Sequence, residues 1–354
     1  MRRDLQAIEN MGDDYMKQVR TEDAVGSVLC HDITKIVPGE FKGRAFTKGH
    51  IIRPEDVAEL LKLGKEHLYV WEYQEGMLHE DQAAERLAKA VAGQNVQFSE
   101  VHEGRINLQA KLDGLCLVDR SLVERINGQE QIILATRHNN TLVRQGEIIA
   151  GTRVVPLVID ELSIKSVELI CRGRVALQVL PLHKFSVGLV TTGSEVFKGS
   201  IKDAFGPVLK TKFADLGSQV VSQVFVPDDL EQIKDAILAF VNQGVDMVAV
   251  SGGMSVDPDD LTPGAIKASG AEIVGYGAPV LPGSQFLLAY IGRVPVVGLP
   301  GCVMYAKATV FDMVLPRLLA GIRLSKDDLI TLGYGGLCLQ CPECRYPVCP
   351  FGKS

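Results

Sequence analysis

From Phe185 onward, short apolar runs alternate with amphipathic runs of helical spacing. Only a sheet with crossover helices accommodates that pattern, so the C-terminal half is expected to be an α/β domain. The spacing predicts strands over 187–190, 220–226, 246–250 and 294–299. It predicts helices over 203–216, over 230–241, from Thr262-Pro263, and over 302–320. Thr262 is placed as a cap and Pro263 at the first helical position. Asp228-Asp229 is placed ahead of the Leu230 helix as its cap.

Upstream, the pattern is less regular. Residues 1–20 are polar and charged, a lead-in. Thr21-Glu22-Asp23 suits a short capped helix. Arg53-Pro54-Glu55-Asp56 opens a helix that carries Val57, Leu60, Leu61 and Leu63 and stops at Gly64, before a strand over 67–71. Residues 72–100 read as helical, with Ala83, Leu87, Ala90 and Val91 on one face. Residues 104–183 read as strand-rich, with candidate strands at 114–118, 131–135 and 154–158. The expected divisions are an N-terminal segment 1–71, an α+β or β-rich module 72–184, the α/β domain 185–325 and a cysteine-rich tail 326–354.

Composition narrows the function classes. With 46% hydrophobic and 23% charged residues, the chain reads as an ordinary globular protein. Its formal charge of -6 gives no general attraction to nucleic acid or to anionic membrane. The start, MRRDLQAIENMGDDY, lacks the apolar segment of a signal peptide. No run of about 18 apolar residues suggests a membrane span. The cytoplasm is therefore the expected location.

Three predicted strands end in glycine-rich turns: Thr191-Thr192-Gly193-Ser194-Glu195, Ser251-Gly252-Gly253-Met254-Ser255 and Leu299-Pro300-Gly301-Cys302. Ligands of open α/β sheets collect beyond the carboxyl ends of strands. Glycine permits close backbone approach, and free amides at a helix start favour an anion. Neither G-x-G-x-x-G nor G-x-x-x-x-G-K-[ST] occurs at these turns, which argues against a dinucleotide fold or a P-loop. Beside the second turn lies Asp257-Pro258-Asp259-Asp260. Carboxylates next to a phosphate repel it unless a cation intervenes, and Mg²⁺ takes one or two carboxylates plus phosphate oxygens. The alternative is a solvated loop in which Asp260 helps cap the next helix. Asp203 carries the same two readings. Cys302 falls near a predicted helix start that would stabilise a thiolate, or else it is a small core residue. Lys198, Lys202 and Lys307 read as surface lysines.

The stretches TTGSEVFKGSIKDAFGPVLKTKFADLG, VPDDLEQIKDAI, DMVAVSGGMSVDPDDLTPGAI and VPVVGLPGCVMYAKATVF together resemble the molybdopterin-binding domain. That domain is shared by molybdopterin adenylyltransferases and the gephyrin-related molybdotransferases. EDAVGSVLCHDITKIVPGEFKGRAFTKGHIIRPEDVAELLKLGKEHLYV is similar to molybdotransferase sequence and favours that branch. The resemblance implies a three-layer, parallel-sheet fold and Mg²⁺-dependent insertion of molybdate into adenylylated molybdopterin. It implies that the turns carrying Thr192, Gly193, Ser251, Gly252, Gly253, Pro300 and Gly301 hold the pterin phosphates, and Ser194, Ser255 and Cys302 join them as candidates by their places in those turns. It assigns Glu195, Asp203, Asp257 and Asp260 to the metal and the chemistry, and it implies a homodimer. Ser194 stands where the family usually has Asp, and Cys302 where it usually has Asn. The family's Ser-x-x-Asp-Gly-Tyr segment is not visible. A non-catalytic molybdopterin carrier or sensor, docking on a molybdoenzyme or working with an adenylyltransferase, fits those departures too.

The tail places Cys338, Cys341, Cys344 and Cys349 at C-x2-C-x2-C-x4-C spacing. That spacing is one residue longer than a ferredoxin pattern and also suits tetrahedral Zn²⁺. A metal centre, Zn²⁺ or iron–sulfur, is the expectation. A thiol-rich tail without metal is the alternative.

Overall fold

The Ser186–Thr192 strand sits between two parallel neighbours, Gln219–Val226 and Met247–Ser251. Val294–Leu299 joins Met247–Ser251 in parallel, and Leu287–Ile291 and Glu272–Tyr276 complete a six-stranded sheet. These last two strands were not foreseen in the sequence. Leu287–Ile291 runs antiparallel to both Val294–Leu299 and Glu272–Tyr276, so the sheet is mixed rather than wholly parallel. Its hairpin is closed by Gly292-Arg293, a two-residue loop of the kind that joins antiparallel strands.

This computed structural model describes residues 16–37, 41–71, 75–102, 104–255 and 260–353. Both faces of the sheet are covered, which explains the nearly unbroken apolar runs of its central strands. Val187, Leu189, Met247, Ala249, Val297 and Leu299 point to one face. There they meet Leu209 and Phe213 of the Phe205–Asp215 helix and Phe311, Val314 and Leu318 of the Val310–Leu319 helix. Val190, Val248, Val250 and Val296 point the other way, onto Ile233, Ile237 and Phe240 of the Leu230–Asn242 helix and Ala265 and Ile266 of the Thr262–Ala268 helix. The strict alternation of strand residues between two cores makes this a three-layer α/β domain.

Local chemistry sets the element ends. The long helix expected over 302–320 is broken. A 3-10 turn, Gly301–Met304, is followed by a helix only at Val310–Leu319. Thr309 starts that helix through a capping box with Asp312, a Thr-x-x-Asp signal overridden by the apolar periodicity. Thr262 begins its helix but does not cap it. Its hydroxyl donates instead to Gly252 O at 2.8 Å. Asp229 caps the Leu230–Asn242 helix as expected, accepting from Gln232 N at 2.9 Å.

By internal packing the chain divides into two units. The sheet above lies in the unit formed by Ala110–Val118, Arg137–Glu147 and Val179–Ser354. The other unit comprises Met1–Gln109, Asp119–Thr136 and Ile148–Gln178. It contains a small core of Ala24, Leu29, Ile33, Ile52, Leu60, Leu68 and Val70. Within the expected lead-in, Met16–Arg20 is a strand paired antiparallel with His67–Trp71; the earlier residues lie outside the described ones. The helical stretch expected over 72–100 is confined to Glu80–Val91, where Ala83, Ala84, Leu87, Ala88 and Val91 are buried and Ala90 is not. The region expected to be strand-rich also holds two unforeseen helices, Arg120–Asn127 and Glu161–Ile170. Arg86 ties helix to helix by donating from Nε to Glu168 at 2.8 Å and from Nη1 to Glu161 at 2.7 Å. Among the described residues, no helix is long and apolar enough to cross a membrane.

Candidate functional site

Parallel pairing brings the three glycine turns to one edge. Thr191 pairs with Ser251, and Ser251 with Leu299, so all three strands end level with one another. The first two turns touch. Gly252 has φ +94, and a Cβ built on it would lie 2.5 Å from Thr192 O. Gly253 has φ +58, and its Cβ would lie 2.8 Å from Thr262 Oγ1. Only glycine combines that backbone conformation with that proximity. Gly301, at the third turn, is exposed, with open space where a side chain would stand.

Hydroxyls line the edge beneath the turns. Gln223 Nε2 donates to Thr191 Oγ1 at 3.0 Å, and Ser251 Oγ donates to the same oxygen at 3.3 Å. Thr192 Oγ1 and Thr262 Oγ1 are 3.4 Å apart. Thr191, Thr192, Ser251 and Thr262 are all buried, as is Pro300, whereas Glu195 and Ser255 are exposed.

Ser194 and Ser255, both expected to meet a phosphate, have their backbone amides held by carboxylates of the protein. Ser194 N donates to Asp228 Oδ2 at 2.8 Å, and Ser255 N to Asp260 Oδ2 at 2.7 Å. Both amides are thus already partnered within the protein. Asp203 is fully engaged: Oδ1 accepts from Phe205 N at 2.9 Å, and Oδ2 accepts from Gln223 Nε2 at 2.7 Å and Gly206 N at 3.1 Å. It holds the first turn of the Phe205–Asp215 helix to the neighbouring strand. Asp257 lies outside the described residues. Sequence reasoning missed Gln223, Thr262 and the loop contact of Asp228. Asp228 had a signal, since Asp228-Asp229 offers one more carboxylate than a helix cap needs. Gln223 had none, because its partners are 20 and 32 residues away.

Cys302 lies in the four-residue 3-10 turn rather than at the start of an α-helix. Burial pushes its thiol pKa up, which favours the packed-residue reading of Cys302 over the thiolate one. Lys198, Lys202 and Lys307 are exposed, as expected.

The tail cysteines face a shared, mostly apolar cavity of about 320 Å³, with Tyr346 and Phe351 in its wall. They do not converge as ligands. Cys338 and Cys349 pack against the domain core, whereas Cys341 and Cys344 are exposed. Among the described residues, no group of three or more His, Cys, Asp or Glu side chains is placed to hold a metal ion. The expected Zn²⁺ or iron–sulfur centre is thus not supported.

Residues 188–320 match the family described as "Probable molybdopterin binding domain", and residues 18–72 match one described as a domain of unknown function. The chain is 29% identical over 155 residues to a molybdopterin molybdenumtransferase of Synechococcus elongatus, covering 41% of this chain and 38% of that protein. It is 33% identical over 75 residues to a CinA-like protein of Mycobacterium avium, covering 21% and 17%. The chain thus spans well under half the length of these curated relatives. Among solved structures, the Thermus thermophilus molybdopterin biosynthesis enzyme MoaB is 23% identical, with a TM-score of 0.33, over 39% of this chain and 98% of that one. The tungsten cofactor synthesizing protein MoaB of Pyrococcus furiosus is 22% identical, with a TM-score of 0.32, over 38% and 91%. With three glycine turns level on one edge of a three-layer α/β sheet, residues 188–320 are a domain of the molybdopterin-binding family.

Proposed function

We propose that the edge at Gly193, Gly252 and Gly301 binds the phosphate end of molybdopterin or its adenylylated form, and that the protein inserts molybdate into that ligand during molybdenum-cofactor assembly. The contact between the first two turns carries this reading. Gly252 and Gly253 press against Thr192 and Thr262 with no room for a side chain, so backbone amides and hydroxyls form the surface that a ligand meets. Ser194 N and Ser255 N, now on Asp228 and Asp260, would turn to the phosphate.

Mg²⁺ fits the donor set because it needs only one or two carboxylates once phosphate oxygens and water complete its shell. Asp260, which follows the Gly253 turn, would hold it, and the nearby sequence position of Asp257 makes that residue a second candidate. Bound there, Mg²⁺ neutralises the charge that the carboxylates and the phosphate bring together. Asp203 keeps the Phe205–Asp215 helix against Gln223, and Glu195 stands exposed at the mouth of the first turn.

One observation favours a second reading, a carrier without turnover. Both oxygens of Asp203 are committed within the protein, leaving that carboxylate no role toward a ligand in this state. A single assay separates the two. Purified protein with adenylylated molybdopterin, Mg²⁺ and molybdate should release AMP, and Asp260→Asn should lower the rate without abolishing pterin binding. Absence of AMP release with the pterin still bound would establish the carrier and end the transferase reading.

A further inference from the structure

The unit without the glycine turns has a polar cavity of about 290 Å³, lined by Lys48, His50, Arg53, His79, Glu80 and Asp81 among others. Its polar side chains differ in one respect. His50 Nε2 is 2.6 Å from Asp56 Oδ2. His79 is held at both ring nitrogens, with Nδ1 3.2 Å from Asp81 N and Nε2 2.8 Å from Gly49 O. Asp81 Oδ1 accepts from Gly104 N at 2.9 Å. Glu80 is only 6% exposed; among the described residues its carboxylate shows no direct hydrogen bond or close ion pair, and the charges of His79, Arg153 and Lys48 act on it from farther off.

Backbone on both sides makes room for that carboxylate. A Cβ on Gly49 would lie 3.0 Å from Glu80 Oε1, and one on Gly104 would lie 2.8 Å from Oε2. The residue is largely buried but its carboxylate lines the cavity, so its acceptor oxygens are open to a donor that enters there. Lys48 and Arg53 are exposed at the rim. Two cations at the entrance oppose a bare cationic ligand and favour an anionic one. Two free carboxylate oxygens are met best by two parallel N–H donors on one planar edge. The cavity volume lies near the lower bound for small-molecule sites, about 300 Å³.

We propose that this cavity binds a small anionic molecule with a paired N–H edge, the 2-amino-4-oxopyrimidine edge common to guanine nucleotides and pterins. Glu80 accepts the paired N–H groups, and Lys48 and Arg53 meet the phosphate or carboxylate. The site lies in a different unit from the glycine turns and stands or falls independently of them.

Calorimetric titration of the full chain with GMP, IMP, 6-carboxypterin and inorganic phosphate tests this. GMP or 6-carboxypterin should bind, and whichever is tighter names the source. IMP, which lacks the 2-amino group, should bind roughly tenfold more weakly than GMP if guanine is the ligand. Glu80→Gln should weaken the tighter ligand by roughly tenfold or more, and Lys48→Ala, at an exposed position, should weaken it severalfold. Lys210→Ala, at an exposed position in the other unit, should leave it unchanged. Binding of neither ligand, affinity equal to that of phosphate alone, or binding indifferent to both Glu80→Gln and Lys48→Ala would overturn the proposal.

Discussion

Thr192 Oγ1 and Thr262 Oγ1 are 3.4 Å apart, although 70 residues separate them in sequence. Thr192 ends one strand, and Thr262 begins the helix that follows the next strand of the sheet. Gly252 and Gly253 lie between them, and Thr262 donates to Gly252 O at 2.8 Å. Two loops that could move separately are thereby joined into one surface, the kind of fixed backbone that anion recognition requires.

This contact makes Gly252 sensitive to the smallest substitution. Gly252→Ala places a methyl against Thr192 O in a backbone conformation that alanine resists. A cost of about 2 kcal/mol is expected from strain at such a position. Thermal unfolding should show a lowered Tm for Gly252→Ala, with Gly199→Ala as the comparison, because Gly199 has positive φ but open surroundings. Equal losses in the two variants would mean that the approach to Thr192 contributes nothing beyond backbone conformation.

Arg317 is buried and pairs with Asp328, and its Nε has no partner among the described residues. Burial raises the Asp328 pKa, but hydrogen bonds from Ser325 and the Arg317 charge outweigh it and leave the pKa lowered. A lowered folded-state pKa contributes stability that is present above the unfolded value, near 3.9, and lost as pH falls through the folded value. Asp328→Asn leaves the guanidinium buried without its counter-charge and should cost about 3 kcal/mol at pH 7. Urea unfolding of wild type and variant should begin to converge only below about pH 4 and meet once pH has fallen through the lowered folded-state value, where the wild-type carboxylate is itself protonated. A gap that persists undiminished in acid would assign the loss to packing.

Glu80 shifts in the opposite direction, and burial is the main cause. A raised folded-state pKa means a contribution present below the unfolded value and lost as pH rises through the folded one. Glu80→Gln should therefore raise the Tm at pH 7 and leave it nearly unchanged near pH 4. A variant less stable at pH 7 would show that the carboxylate has stabilising partners within the fold.

The cysteines should react in order of exposure. Burial raises the pKa of both Cys30 and Cys116 to about 11, so the thiolate is scarce at neutral pH. Timed alkylation followed by peptide mass spectrometry should find Cys341 and Cys344 modified first and Cys116 last. Early modification of Cys116 would contradict its burial.

Much of this domain was legible because its strands are buried on both faces and appear as plain apolar runs. The glycine turns were legible as well, since a strand end, a glycine and a following helix are local features. Leu287–Ile291 escaped because one apolar run after another, with only Gly292-Arg293 between, looks the same whether the chain continues or folds back. The engagement of Asp203 with Gln223 was invisible for another reason: it depends on which strands are neighbours. In the tail, spacing alone suggested a metal centre, and packing separated the thiols, two against the core and two at the surface.

Gly301 offers the most direct test of the glycine edge, because a side chain there meets open space and leaves the fold intact. Molybdopterin binding should be measured for wild type and for Gly301→Glu, alongside Tm. Wild type should bind, and the variant should bind at least roughly tenfold more weakly, from charge repulsion at an anion site, with unchanged Tm. Equal binding by the two proteins would place the ligand elsewhere and contradict the glycine-edge reading.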